Sequence, residues 1–258
     1  MTKPEVYGAM KDSMTAAGFD EGRCRYTVFD NSSSNSREPY GAINDALART
    51  VEPYLIFCHQ DLVFGPDATF ERLVRVLTEL DDVDPAWAVA GNAGGTRTLQ
   101  LAMRITDGSA VWRVGRVPRR VQSLDENLLI IKASSGIGCS GDLSGFHLYG
   151  TDICLNAEER GRRCYVIDFH IHHLSTGRTC TPEEFEAVRV RFELRWGPRR
   201  LCQFVKTCCT TLFLSRSGAL RRCFGGPKMR RATVRYPRAF GVLGILVGIF
   251  DRRTTDGH

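Results

Sequence analysis

The sequence predicts an α/β domain, a mostly parallel sheet flanked by helices, followed by a basic, partly helical C-terminal extension. Three observations carry that prediction. Strand-like and helix-like segments alternate from residue 24 to residue 175, the pattern of strands joined by crossover helices. The run Tyr54-Leu55-Ile56-Phe57-Cys58 lacks the polar alternation of a half-solvated strand and suits one covered on both faces. Polar residues gather at the ends of the predicted strands, where open α/β sheets place their ligands.

The elements follow in order. Lys3 to Ala17 reads as a helix stopped near Gly18. "CRYTVFD" (24 to 30) is a short strand and "NSSSNS" (31 to 36) a loop of turn formers. "EPYGAINDALART" (38 to 50) opens with Pro39 and carries Ile43, Ala46 and Leu47 at helical spacing. The strand at 54 to 58 ends in His59-Gln60-Asp61. "ATFERLVRVLTELDD" (68 to 82) places Phe70, Leu73, Val74, Leu77 and Leu80 on one helical face. "AWAVAGNAGG" (86 to 95) is a strand running into a glycine loop, where Gly91, Gly94 and Gly95 permit close backbone approach. "VWRVGRV" and "ENLLIIKA" are strands, "TDICLNAEERGRR" (151 to 163) is a helix, and "CYVIDFHIHHLS" (164 to 175) is the last strand. The domain therefore covers 1 to 180 and the extension 181 to 258, with an uncharged segment at 240 to 250.

Composition narrows the class. With 258 residues, 43% of them apolar, the chain can bury a sizeable core. Its ten cysteines form no C-x-x-C pair, which argues against a zinc ribbon and for free thiols in a reducing cytoplasm. The opening "MTKPEVYGAMKDSM" has no apolar core of the kind a secretory signal needs. From Arg189 to Arg238 there are fourteen Lys or Arg, opposed only by Glu193. Such a tail fits a polyanion, and its aromatic residues carry no recognised nucleic-acid motif, so the expected partner is an anionic membrane face. "FGVLGILVGIF" (240 to 250) is too short to span a bilayer, which takes about 20 apolar residues. It suits an interfacial segment or one packed on the domain.

Hydrolase and kinase motifs are missing: no G-x-x-x-x-G-K-[ST], no G-x-S-x-G, no H-E-x-x-H. Asp30-Asn31, His59-Gln60-Asp61 and Asp168 through His173 lie at strand ends instead. A carboxylate at Asp61 could hold a divalent cation; equally it could cap a turn beside a satisfied His59. Strand alternation turns His170 and His172 to one face and His173 to the other, which argues against a three-histidine zinc site.

The order of "VFDNSSSNS", "AINDALA", "LIFCHQDLVF", "VAGNAGG", "VQSLDENLLII" and "GFHLYGTDICLNAEERGRRCYVIDFHIHHLS" resembles the glycosyltransferase family 2-like proteins with a GT-A fold, in a branch with HQD in place of D-x-D. The resemblance covers residues 24 to 180. It implies transfer of a sugar from a nucleotide-sugar donor to a hydroxyl acceptor, lipid-linked or glycan, assisted by Mn²⁺ or Mg²⁺. It implies that Asp30 and Asn31 meet the donor nucleotide, that His59 holds the first position of the metal motif, and that Asp61 and His173 bind the metal. Two departures stand out. Gly150 takes the position of the family's usual base, leaving Asp152, Asp125 or Glu126 for that role. The family also opens with an apolar strand, whereas this sequence begins at the helix after it; loss of that strand would weaken nucleotide binding and expose a sheet edge. Asp30 and Asp125 could instead cap local turns, and Asp152 could serve as a first-turn helix residue. The competing reading is a degenerate GT-A domain that binds nucleotide or glycan without turnover. The expected location is cytoplasmic, peripheral on the inner membrane face.

Overall fold

Helix α1 (Pro4–Ala16) starts at a proline, a residue suited to a first turn, and ends before Gly18, whose φ of +90° breaks it. In this computed structural model, residues 1–35, 37–174, 181–237 and 239–242 are described. Helix α2 (Pro39–Arg49) leads to strands β1 (Tyr54–Cys58) and β2 (Leu62–Val63). Helix α3 (Phe70–Val83) is capped by the Thr69 hydroxyl, which accepts from the Arg72 amide. It buries Leu73, Val76, Leu77 and Leu80, while Val74, expected inside, is exposed.

Strands β3 (Trp87–Gly91), β4 (Ala93–Gly95), β5 (Leu101–Asp107), β6 (Ala110–Val114), β7 (Arg119–Val121), β8 (Ser123–Leu124) and β9 (Leu128–Lys132) follow. The expected glycine loop is β4 itself. A side chain on Gly94 or Gly95 would strike the backbone of Ser123 or Lys206, so these glycines serve strand packing. Helix α4 (Tyr149–Glu159) precedes β10 (Arg163–Val166) and β11 (Ile171–His173), two short strands where the pattern predicts one. The extension contributes α5 (Pro182–Trp196), the hairpin β12 (Gln203–Lys206) and β13 (Thr211–Leu214), then α6 (Gly218–Phe224) and α7 (Pro227–Arg235).

The main sheet runs β1-β9-β3-β10-β7 and the second β2-β11-β5-β4-β8, with β6 beside β5. The mostly parallel sheet is not what forms. Among the described pairings, only β3–β10 and β5–β11 are parallel; β1–β9, β3–β9 and β7–β10 are antiparallel. The reason lies in the coverage. Leu55 and Phe57 of β1 join one core with Leu129 and Ile131 of β9, while Tyr54, Ile56 and Cys58 join the other with Leu128 and Ile130. A strand covered on both faces must be apolar throughout, whichever way its neighbours run.

Residues 24 to 30, expected as a strand, form none. They are held by other bonds instead: the Tyr26 hydroxyl donates to the Phe19 carbonyl, and the Met1 ammonium, 28 residues away, donates to the Phe29 carbonyl at 2.7 Å. β1 consequently stands at the edge of the main sheet. Helices α1 and α3 cover one face; α2, α4, α5 and the β12–β13 hairpin cover the other. Val188, Phe192 and Trp196 of α5 and Val205 and Leu212 of the hairpin are buried in that second core, so the extension helps to build the domain. No disulfide joins the nine cysteines among the described residues. No described helix is long and apolar enough to cross a membrane.

Candidate metal centre and its cavity

Register brings the site together. After β1, the His59 amide continues the ladder to the Asn127 carbonyl at 2.9 Å, and the chain turns through Asp61 into β2. β2 pairs with β11 so that His173 lies opposite Leu62, and β11 pairs with β5 so that His173 lies opposite Asp107. His59, Asp61 and His173 each offer one ligand atom, all within 4.8 Å of one another. His173 Nε2 is 3.3 Å from Asp61 Oδ1, and His59 Nδ1 is 4.0 Å from the same oxygen.

The outward partners of the two rings set their tautomers. The Tyr149 hydroxyl donates to the Glu126 carbonyl at 3.0 Å. Its contact with His59 Nε2, also 3.0 Å, is therefore one in which the ring donates, leaving a lone pair on Nδ1 toward Asp61. His173 Nδ1 lies 3.1 Å from Asp107, whose carboxylate can only accept, so Nε2 offers its lone pair when the ring is neutral. Two imidazole nitrogens and a carboxylate oxygen thus converge, each imidazole braced from behind, which is a donor set that fits a divalent metal. Imidazole ligands suit Mn²⁺ better than the harder Mg²⁺. Burial lowers the pKa of His59 against the pull of Asp61. For His173 burial is outweighed by the hydrogen bond and charge of Asp61, with Asp107 adding to them, and its pKa is raised. The hydrogen bond from His173 holds Asp61 below the usual carboxylate range despite burial.

A cavity of about 1910 Å³ opens beside this rim. It is lined by the open edge of β1, the stretch around 24 to 31, and Asp125, Glu126 and Cys208. Burial, and then the charge of Asp125, push the Glu126 carboxyl up to about 8, while a 2.5 Å bond from the Leu148 amide opposes the shift. Leu148 sits at φ +66°, a costly conformation for a non-glycine residue that aims its amide at Glu126.

The other sequence candidates divide. Asp152 is fully buried and does not line the cavity. It accepts from the Ser140 amide (2.7 Å) and hydroxyl (2.8 Å), the Trp196 indole (2.8 Å) and the Asn156 amide (3.1 Å), which makes it a structural clasp and not a reachable base. Gly150 has a steric cause: a Cβ there would lie 2.5 Å from the Leu124 carbonyl oxygen, so no carboxylate could occupy the position. Asp125 lines the cavity but caps a turn, accepting from the Asn127 amide at 3.1 Å. Asp30 is exposed, does not line the cavity, and accepts from the Ser32 amide at 2.8 Å. Asn31 lines the cavity while its side chain closes the loop onto Arg37. Asp107 and Tyr149, which orient the imidazoles, carried no sequence signal; Asp107 stands before Gly108 and reads as a turn residue.

No family model matches the chain. The chain is 36% identical over 210 residues to a protein of Fuscovulum blasticum called "ATP synthase subunits region ORF 6", covering 77% of this chain and 83% of that one. The chain belongs to the family of that ORF 6 protein. The matched length exceeds that of residues 24 to 180, so the match extends beyond that segment.

Proposed function

We propose that this chain is a glycosyltransferase of GT-A-like fold that moves a sugar from a nucleoside-diphosphate donor to a hydroxyl acceptor. The observation that supports it best is the shared cavity: His59, Asp61 and His173 line it together with Glu126, a carboxyl held near pKa 8. A divalent cation held by His59, Asp61 and His173 would offset the charge of the departing diphosphate. Glu126 takes the acceptor proton. As the acceptor oxygen bonds to the anomeric carbon, the bond to the diphosphate oxygen breaks and the hydroxyl proton passes to Glu126. A base with a pKa near the working pH suits that role. Asn31, on the cavity wall, remains on the donor side of this reading.

The test is thermal unfolding against a nucleotide-sugar panel with and without Mn²⁺. A ligand present at 100 times its Kd stabilises by about 2.7 kcal/mol, or roughly 5–11 °C in a domain of this size. The shift should require both metal and nucleotide, and Asp61→Asn should abolish it while the unliganded melting point stays close to wild type. An Asp61→Asn variant that responds like wild type would rule the site out. A second reading, a domain that binds the donor without turnover, draws on Gly150 and on the saturated Asp152. It predicts the same shift with neither transfer nor donor hydrolysis.

A further inference from the structure

The outer surface of α6 and α7 is chemically unlike the rest of the molecule. Leu220 and Phe224 of α6, Met229 of α7 and the downstream Phe240 pack inward against Leu99, Phe204 and Phe213. That packing turns the opposite side of the pair to solvent. Arg222, Lys228, Arg231 and Arg235 are exposed there, and none of them forms an ion pair among the described residues. Lys228, Arg231 and Arg235 follow at i, i+3 and i+7, so they lie on one face of α7. Val234 on the same face is 65% exposed; beyond the helix, Tyr236 is 54% and Val242 58% exposed. Arg235 lies over the Tyr236 ring, 5.6 Å from its centroid. No Asp or Glu occurs between Glu193 and Asp251 to neutralise this surface.

We propose that this face docks the protein on an anionic lipid surface. Unpaired cations alone would suit any polyanion. The exposed apolar groups among them decide the class. A bilayer interface takes both kinds of group, cations at the headgroup phosphates and Val234, Tyr236 and Val242 at the acyl boundary. A nucleic acid would meet the cations through its phosphates and leave those apolar side chains in water, and a single tyrosine makes no stacking platform for bases. The uncharged run 240 to 250 follows directly in sequence, although residues 243 to 250 lie outside the described residues. The docking face is built from elements other than the metal-binding rim, so the inference is independent of the proposed reaction.

Flotation of the full chain with vesicles tests it, comparing phosphatidylcholine alone with phosphatidylcholine containing phosphatidylglycerol. The chain should float with the anionic vesicles only, and the bound fraction should collapse toward about 1 M salt, where the screening length falls to ~3 Å. Joint Lys228→Ala, Arg231→Ala and Arg235→Ala should lower partitioning about a hundredfold, from roughly fivefold per cation. Their melting point should not change, since these side chains hold no described ion pair. Val234→Ser with Tyr236→Ser should weaken binding while its salt dependence persists. Flotation unchanged in the triple variant, equal flotation with neutral vesicles, or tighter binding to an oligonucleotide than to anionic vesicles at the same salt would each overturn the proposal.

Discussion

Asp61 and Asp152 make an instructive pair. Both carboxylates face side chains that distant elements deliver, and both fall at or beside a resemblance-based functional position. Asp152 receives four hydrogen bonds from Ser140, Trp196 and Asn156, is fully buried and does not line the cavity. Asp61 faces two imidazole nitrogens on the rim of an open cavity, with one imidazole 3.3 Å away and the other 4.0 Å. Spare coordinating capacity facing open space, rather than burial or motif order, separates a site residue from a structural one. Glu126 belongs with Asp61 by that criterion, since it lines the cavity and, among the described residues, its carboxyl accepts only from the Leu148 amide.

The largest effect expected from this contrast is on turnover. Glu126→Gln should lower transfer by roughly 10²–10⁴-fold while the metal and donor thermal shift persists. Because the base works only when ionised, the wild-type rate should climb as pH rises through about 8, and the Gln variant should lack that limb. Stability moves the other way. The folded state raises the Glu126 pKa from 4.5 to about 8, so it holds this proton more tightly than the unfolded chain. Wild type therefore loses stability as pH rises from 4.5 to 8, and the variant, which cannot titrate there, should gain on it across that window. A variant with an unchanged rate would move the base to Asp125.

Next comes the clasp. Asp152→Ala strands the Trp196 indole and the Ser140 donors in the core, at a cost of roughly 3 kcal/mol and thus a fall of roughly 6–12 °C in melting point. Asp152→Asn should fall between the two and keep the rate, since no proton passes through this residue. Loss of rate at wild-type stability in Asp152→Asn would reverse the contrast drawn between Asp152 and Asp61.

The smallest effect belongs to the brace behind His173. Asp107→Asn should weaken Mn²⁺ affinity by about 10–100-fold, read as a higher Mn²⁺ concentration needed for the same thermal shift, with little change in the unliganded melting point. An unaltered Mn²⁺ titration would show that His173 is oriented by β5–β11 pairing alone.

Local pattern sufficed for the helices, because a proline start, a Thr69 cap, a stop at Gly18 and a 3.6-residue stripe all act within a few residues. It also sufficed for the candidacy of Asp61, which stands just after the apolar run 54 to 58; that of His173 came from the resemblance in motif order. Strand direction was beyond it: burial on both faces makes β1 and β9 apolar in either orientation, and only the pairing of distant segments decides which forms. The same holds for the site's supporting residues. Asp107 meets His173 through β5–β11 register, Tyr149 meets His59 across 90 positions, and Asp152 is removed from chemistry by donors 12 and 44 residues away. Sequence spacing carries information about neighbours along the chain, and these contacts join residues whose proximity exists only after the core has closed.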